Sequence, residues 1–317
     1  MVHSSCGKAA TPKDHNRKER ISEMKKNAIA MHSSVATSGN LVTNLRIAKE
    51  VGFDCVELTV IPMIKPYLEA GHSLEELAEL TKDFDIAGIG WLPDIERQGE
   101  DFEKLMKEAR EMFEIAHAIG AGGIECLTGP ADVNAVRHFK NHEPYEGYQG
   151  LLGLPADKQM ELLKKNVAAL ADLAMDYGLC LYLEPLGWTP VNKISQAYEI
   201  ARTCGRDNVK CVIDTWHAYV AGDTPEEIAC MDKHYIYGVH VSDSLEAEEG
   251  TVPDENMIRN CALGEGVVDY KSYCDAVRAT GYDGWWNAEL FSRRQMQMDP
   301  KEVARDIYAK LSRLAKG

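Results

Sequence analysis

The chain has 317 residues, 45% of them hydrophobic and 27% charged, ordinary values for a globular protein that exclude wholesale disorder. Its formal charge of −15 repels phosphate backbones, so no nucleic acid is expected as a partner. No apolar run approaches the ~20 residues of a membrane span, which excludes a membrane partner of that kind.

The first 27 residues read differently from the rest: seven Lys/Arg stand against Asp14, Glu19 and Glu23, a local charge of +4. With no apolar stretch they do not form a signal peptide. They read as a basic arm, loosely docked or packed on a second subunit, which leaves a homo-oligomer open. Residues 28–317 are expected to form one catalytic domain.

From residue 28 short apolar runs alternate with amphipathic stretches. The strand candidates are Ala28–His32, Cys55–Leu58, Ile86–Trp91, Gly123–Leu127, Cys180–Leu183, Cys211–Ile213, Ile236–Val241 and Trp285–Ala288. Each is almost wholly apolar, the pattern of parallel strands covered on both faces. Between them, Ser73 with Glu76 predicts a capping box. Phe102, Leu105, Ala109, Met112, Ala116 and Ile119 trace one helical face, closed by Gly120. Met160, Leu163, Val167, Leu170 and Ala174 trace another, and Val303, Ile307, Leu311 and Leu314 a last one. Eight strands with helices between them and no break in composition predict an α/β fold, a single (β/α)8 TIM barrel. An open doubly wound sheet would want a glycine-rich turn after its first strand, and Ser33–Gly39 is not one. Thr128–Pro155 and Ser242–Asp269 interrupt the rhythm after the fourth and seventh strands. They read as irregular walls of the active-site face or, for the first, as an oligomer contact.

Nine cysteines are scattered without a CxxC pair, so a zinc ribbon is excluded. Buried free thiols in a reducing, cytoplasmic setting are expected.

Glu184, Asp214, His240 and Glu289 lie at or near the ends of the fifth to eighth strand candidates. Any one of them alone reads equally well as a cap or a satisfied core residue. In a barrel, however, those termini are neighbours, and three carboxylates with one imidazole repel unless a cation neutralises them. A divalent metal held by three oxygens and one nitrogen is the natural solution. Mn is expected, with Co, Mg and Zn as alternatives. Glu57 and His32 end the second and first strands; Glu57 is a candidate to touch substrate or a partner at the barrel bottom. Trp188 is expected as a pocket wall and Trp286 as core. Asp243 reads as a hydrogen-bonding group for a ligand or as a turn residue.

Gln196-Ala-Tyr-Glu-Ile, Arg206-Asp-Asn-Val, Asp214-Thr-Trp-His217, His240-Val-Ser-Asp243, Gly264-Glu-Gly266 and Glu289-Leu-Phe291 resemble the sugar phosphate isomerase/epimerase superfamily, with its xylose isomerase-like TIM barrel, and within it the inosose isomerase branch. The resemblance runs from about Ala28 to Leu314. It implies Glu184, Asp214, His240 and Glu289 as metal ligands, His217 and Arg259 as substrate-binding residues, and Glu184 and Glu289 as the proton-transfer pair. The implied chemistry is isomerisation or epimerisation of a keto-polyol, an inosose or a ketose, through a metal-bound enediolate. A lyase or dehydratase of the same superfamily is the alternative. Arg137, Lys140, Arg259, Arg293 and Arg294 are few cations for the long segments, and Ser242–Gly250 is acidic. The expected small-molecule substrate, a sugar or cyclitol, is therefore unphosphorylated.

Overall fold

The computed structural model describes residues 24–317; most of the basic arm lies outside the described residues. Eight parallel strands close into a barrel in chain order. They are β1 (Ala28–His32), β2 (Cys55–Thr59), β3 (Ile86–Leu92), β4 (Gly123–Leu127), β5 (Cys180–Glu184), β6 (Val209–Asp214), β7 (Ile236–Val241) and β8 (Trp285–Ala288). All eight candidates form. β2, β3, β5 and β6 run one to three residues beyond the apolar runs that announced them, because residues such as Glu184 and Asp214 keep ladder geometry.

The helix after each strand packs an apolar stripe on the barrel. These are α1 (Leu41–Val51), α2 (Leu74–Thr81), α3 (Glu100–Ile119), α4 (Ala156–Asp176), α5 (Ile194–Thr203), α6 (Thr215–Ala221), α7 (Tyr270–Ala279) and α8 (Pro300–Leu314). Ser73 and Glu76 form the capping box of α2, and Gly120 closes α3 in the left-handed conformation at φ 73°. Leu105, Phe113, Leu163, Leu170, Ile307 and Leu311 are fully buried between helices and sheet, each burial stabilising by roughly 1.5–3 kcal/mol. Trp286 belongs to this layer, with its indole N–H on Asn27 Oδ1 at 3.2 Å.

Thr128–Pro155 is less irregular than its composition implied: it contains the helix Val133–Lys140, capped by Asp132. Ser242–Asp269 holds only the short turn of helix Glu255–Ile258. The two segments meet where Arg137 donates to Asp254 at 2.7 Å. Asp243 accepts the backbone N–H groups of Gly264, Gly266 and Val268 at 2.9–3.1 Å, fixing the return of the second segment. No helix among the described residues is long and apolar enough to cross a membrane.

The lower barrel interior is filled by Ala28, Ala30, Cys55, Ala87, Tyr182, Val212 and Trp285. Glycines on other strands make room for the large or polar members: any side chain at Gly88 would strike Tyr182, at Gly90 the carboxylate of Glu125, and at Gly238 the indole of Trp285.

Candidate active site and metal centre

Register places the site. Asp214 pairs with His240 and His240 with Asn287 across β6, β7 and β8, and Leu127 pairs with Glu184. Glu184 and Asp214 end their strands, and Glu289 follows the last residue of β8. One donor atom from each of Glu184, Asp214, His240 and Glu289 lies within 4.8 Å of the other three. Glu184, Asp214 and His240 are buried, while Glu289 keeps 15% of its side-chain surface exposed.

Asp214 turns one carboxylate oxygen, Oδ1, to the backbone N–H groups of Trp216 and His217 (2.7 and 2.8 Å), capping α6. Its Oδ2 accepts from Arg259 at 2.6 Å. The same guanidinium nitrogen reaches Glu289 Oε2 at 2.7 Å and Ser242 Oγ at 2.6 Å. Arg259 is fully buried, with its guanidinium 4.7 Å from the Phe291 ring centre, and its Nε and Nη1 make no hydrogen bond. His217 accepts the Gly187 N–H on Nδ1 at 2.9 Å, which leaves the proton on Nε2, 4.0 Å from Glu184 Oε2. His32 Nε2 sits 3.8 Å from Glu289 Oε1. Each of the two glutamates thus faces a histidine with the oxygen turned away from its closest partner. Trp188 stands beside His217 with ring centres 5.7 Å apart, its indole N–H on Pro130 O.

His240 is the hub. Its Nδ1 lies 3.2 Å from Glu184 Oε1, 3.8 Å from Glu125 Oε1 and 4.0 Å from Asp214 Oδ2. Its Nε2 lies 3.0 Å from Glu57 Oε2. Burial works against an imidazolium here, yet the Glu57 and Glu184 carboxylates outweigh it and hold His240 well above its ordinary range. Burial pushes Glu184 up to about 7 against the pull of His240. Desolvation raises Glu289 as well, but Arg259, His32 and His240 keep it below the usual value. Burial drives His217 well below its usual range, with Arg259 adding to the effect, so it is neutral.

Four sequence candidates therefore form one cluster, joined by His217, Arg259 and Trp188. Glu57 is fully buried and lies against the same histidine, its Oε2 3.0 Å from His240 Nε2, at the opposite ring nitrogen from Glu184. Asp243 is occupied by backbone N–H groups. Two further carboxylates were not read from the sequence. Glu125 reaches the cluster from the middle of β4, and burial, with Glu184 and Glu57 beside it, lifts its carboxyl well above the usual range. Glu255 lies 3.6 Å from Arg259, and burial lifts it to about 8.

The donor set fits a divalent ion. Three carboxylates and an imidazole converge in a buried pocket, and Arg259 alone does not balance them. Hard divalent cations with oxygen-rich ligation match this set better than thiolate-seeking ones.

Residues 45–314 match the family described as xylose isomerase-like TIM barrel, and the chain belongs to that family. Inosose isomerase of Bacillus velezensis is 23% identical over 279 residues, covering 84% of this chain and 89% of that protein. The 3-dehydroshikimate dehydratase of Pseudomonas aeruginosa is 25% identical over 270 residues, 83% of this chain but 38% of that longer protein. Among solved structures, the IOLI protein with a bound zinc atom superposes with a TM-score of 0.78 at 21% identity, covering 91% of this chain and 98% of that one. The chain is an enzyme of the sugar isomerase/epimerase superfamily.

Proposed function

We propose that this enzyme removes the proton from the carbon next to the carbonyl of an unphosphorylated keto-polyol, an inosose or a ketose, and returns it to the same carbon, giving an epimer, or to the former carbonyl carbon, giving an isomer, with a divalent metal held by Glu184, Asp214, His240 and Glu289. The observation that carries the reading is the convergence of those four donors at the carboxyl end of the barrel. When bound, the ion supplies polarisation of the substrate carbonyl and offsets the charge of the carboxylates; Mn is our first choice, with Co, Mg or Zn as alternatives.

The residues divide the remaining work. Glu184 and Glu289 come from β5 and from the end of β8, on opposite flanks of the cluster, so one removes the proton and the other returns it. His217 offers its Nε2–H, and Arg259 its unbonded Nε and Nη1 donors, to substrate oxygens. Trp188 supplies an apolar wall for the C–H face of the ring. A phosphate would meet three carboxylates and one guanidinium, which disfavours it. The identity to inosose isomerase supports a cyclitol or ketose substrate.

Elimination is the second reading, favoured by the similarity to 3-dehydroshikimate dehydratase. Incubation of the protein with inosose and with ketohexoses in deuterated water tests both. Deuterium at the α-carbon with an isomeric product supports proton transfer, and loss of water supports elimination. No exchange and no product with either class, in metal-loaded protein, rejects the proposal. A sugar phosphate turned over with higher kcat/KM than its free sugar rejects the substrate class.

A further inference from the structure

The metal reading leaves Glu57 without a role, although it is a fully buried acid in the middle of β2. An unpaired carboxylate there would be costly, and Glu57 is the opposite of unpaired. Its Oε1 accepts from the Tyr182 hydroxyl at 2.5 Å. Its Oε2 accepts from the Asn287 amide and from His240 Nε2, the latter at 3.0 Å. These donors come from β5, β8 and β7, so the barrel closes around one carboxylate.

The geometry points to Glu57 as the positioning residue of the metal centre: by accepting the His240 Nε2–H it fixes the imidazole so that the Nδ1 lone pair faces Glu184 and Asp214. The inference rests on the metal reading above. An imidazole has two nitrogens, and which one is free to ligate is set by the hydrogen bond the other makes. Nδ1 is the nitrogen within 3.2 Å of Glu184 Oε1 and 4.0 Å of Asp214 Oδ2. Nε2 points the other way, into the barrel interior, where no second mouth carboxylate waits. A carboxylate at 57 can only accept, so of the two neutral tautomers, the forms able to ligate a metal, it admits only the one with the proton on Nε2. Tyr182 and Asn287 anchor that carboxylate from β5 and β8, so the ring cannot turn without giving up its bond to a fixed acceptor.

Glu57→Gln is the informative change. The amide has one acceptor oxygen for three donors, so its NH2 must face either Tyr182, or Asn287 and His240 together. Where it faces His240, the imidazole proton moves to Nδ1 and blocks the ligating lone pair. Titration of chelated protein with zinc and with manganese, followed by calorimetry, should show binding weakened about 10–100-fold in Glu57→Gln. Nitrogen NMR of histidine-labelled, zinc-loaded wild type should show a protonated Nε2 and a ligated Nδ1. Tyr182→Phe, which leaves the carboxylate in place, should weaken binding only about 3-fold and keep the Nε2 proton. Glu57→Gln with wild-type affinity, or wild-type protein ligating through Nε2, overturns the inference. Should Glu57→Gln fail to fold, Tyr182→Phe with unchanged affinity and a ring free to exchange tautomers overturns it. Wild type that binds neither metal instead removes the metal reading itself, a separate outcome.

Discussion

Glu184 ends β5 and Glu289 follows β8, whereas Glu57 and Glu125 lie in the middle of β2 and β4. The side chains are the same type in the same barrel, yet the two halves use them differently. In the β5–β8 half the carboxylates reach the mouth beside Arg259, and Glu289 remains partly exposed. In the β1–β4 half they sit about two residues, roughly 6–7 Å, deeper along the strand. There solvent is excluded, and the acid is either tied by several donors, as Glu57 is, or, like Glu125, held well above the usual carboxyl range by burial and neighbouring carboxylates. In the mechanism we propose, depth along the strand, more than residue type, separates the acids that meet substrate from those that hold another residue in place.

The largest effect is expected at the mouth. Arg259→Ala leaves Asp214 and Glu289 without their buried counter-charge, so the chelated variant should lose about 3–5 kcal/mol of unfolding free energy. Added manganese should recover much of that loss, and denaturant curves with and without metal check it. A variant as stable as wild type without metal would break the contrast, because the mouth carboxylates would then need no partner. Next come Glu184→Gln and Glu289→Gln, each expected to reduce turnover by more than ~100-fold. Normal solvent exchange of the substrate α-proton in either variant would disprove the two-base scheme.

The β1–β4 side should respond to pH instead, and there the responsive acid lies on a loop rather than within a strand. Glu96, on the loop after β3, is fully buried beside Asp94, and burial followed by that neighbouring charge lifts its pKa from 4.5 to about 7. Because the folded value is the higher one, folding favours the neutral carboxyl. That contribution is full below 4.5 and is lost as pH rises through about 7. Glu96→Gln should therefore be more stable than wild type by up to about 3 kcal/mol near pH ~8. The difference should vanish in acid, and urea unfolding at both pH values measures it. The smallest effect is expected for Glu125→Gln, which imitates the neutral carboxyl: a stability change within about 1 kcal/mol and little change in turnover. A collapse of turnover in that variant would move Glu125 from the supporting half into the chemistry.

The same contrast explains what the sequence allowed. Strands covered on both faces are written as apolar runs, so all eight were visible, and an acid at the end of a run pointed to the mouth. Lys210 hid the start of β6, because a half-buried lysine breaks the run without breaking the ladder. Glu125 sits mid-run in Gly123-Ile-Glu-Cys-Leu127, and the partner that makes room for it, Gly90, is on another strand. Only register connects them. The rule that flagged Glu184, an acid at the end of an apolar run, passes over Glu125, which lies inside one. Glu255 had no comparable signal: it stands among Glu246, Glu248, Glu249 and Asp254, and nothing local sets it apart.

The glycines at 88, 90 and 238 carry a consequence for how this barrel can change over generations. Each interior group is encoded twice, once as a bulky residue and once as an empty place opposite it. A library that randomises position 90 alone should return glycine and little else. One that randomises Gly90 and Glu125 together should recover alanine at 90 wherever the residue at 125 has shrunk. Such positions drift in pairs, and the layer beneath the site is inherited as a set.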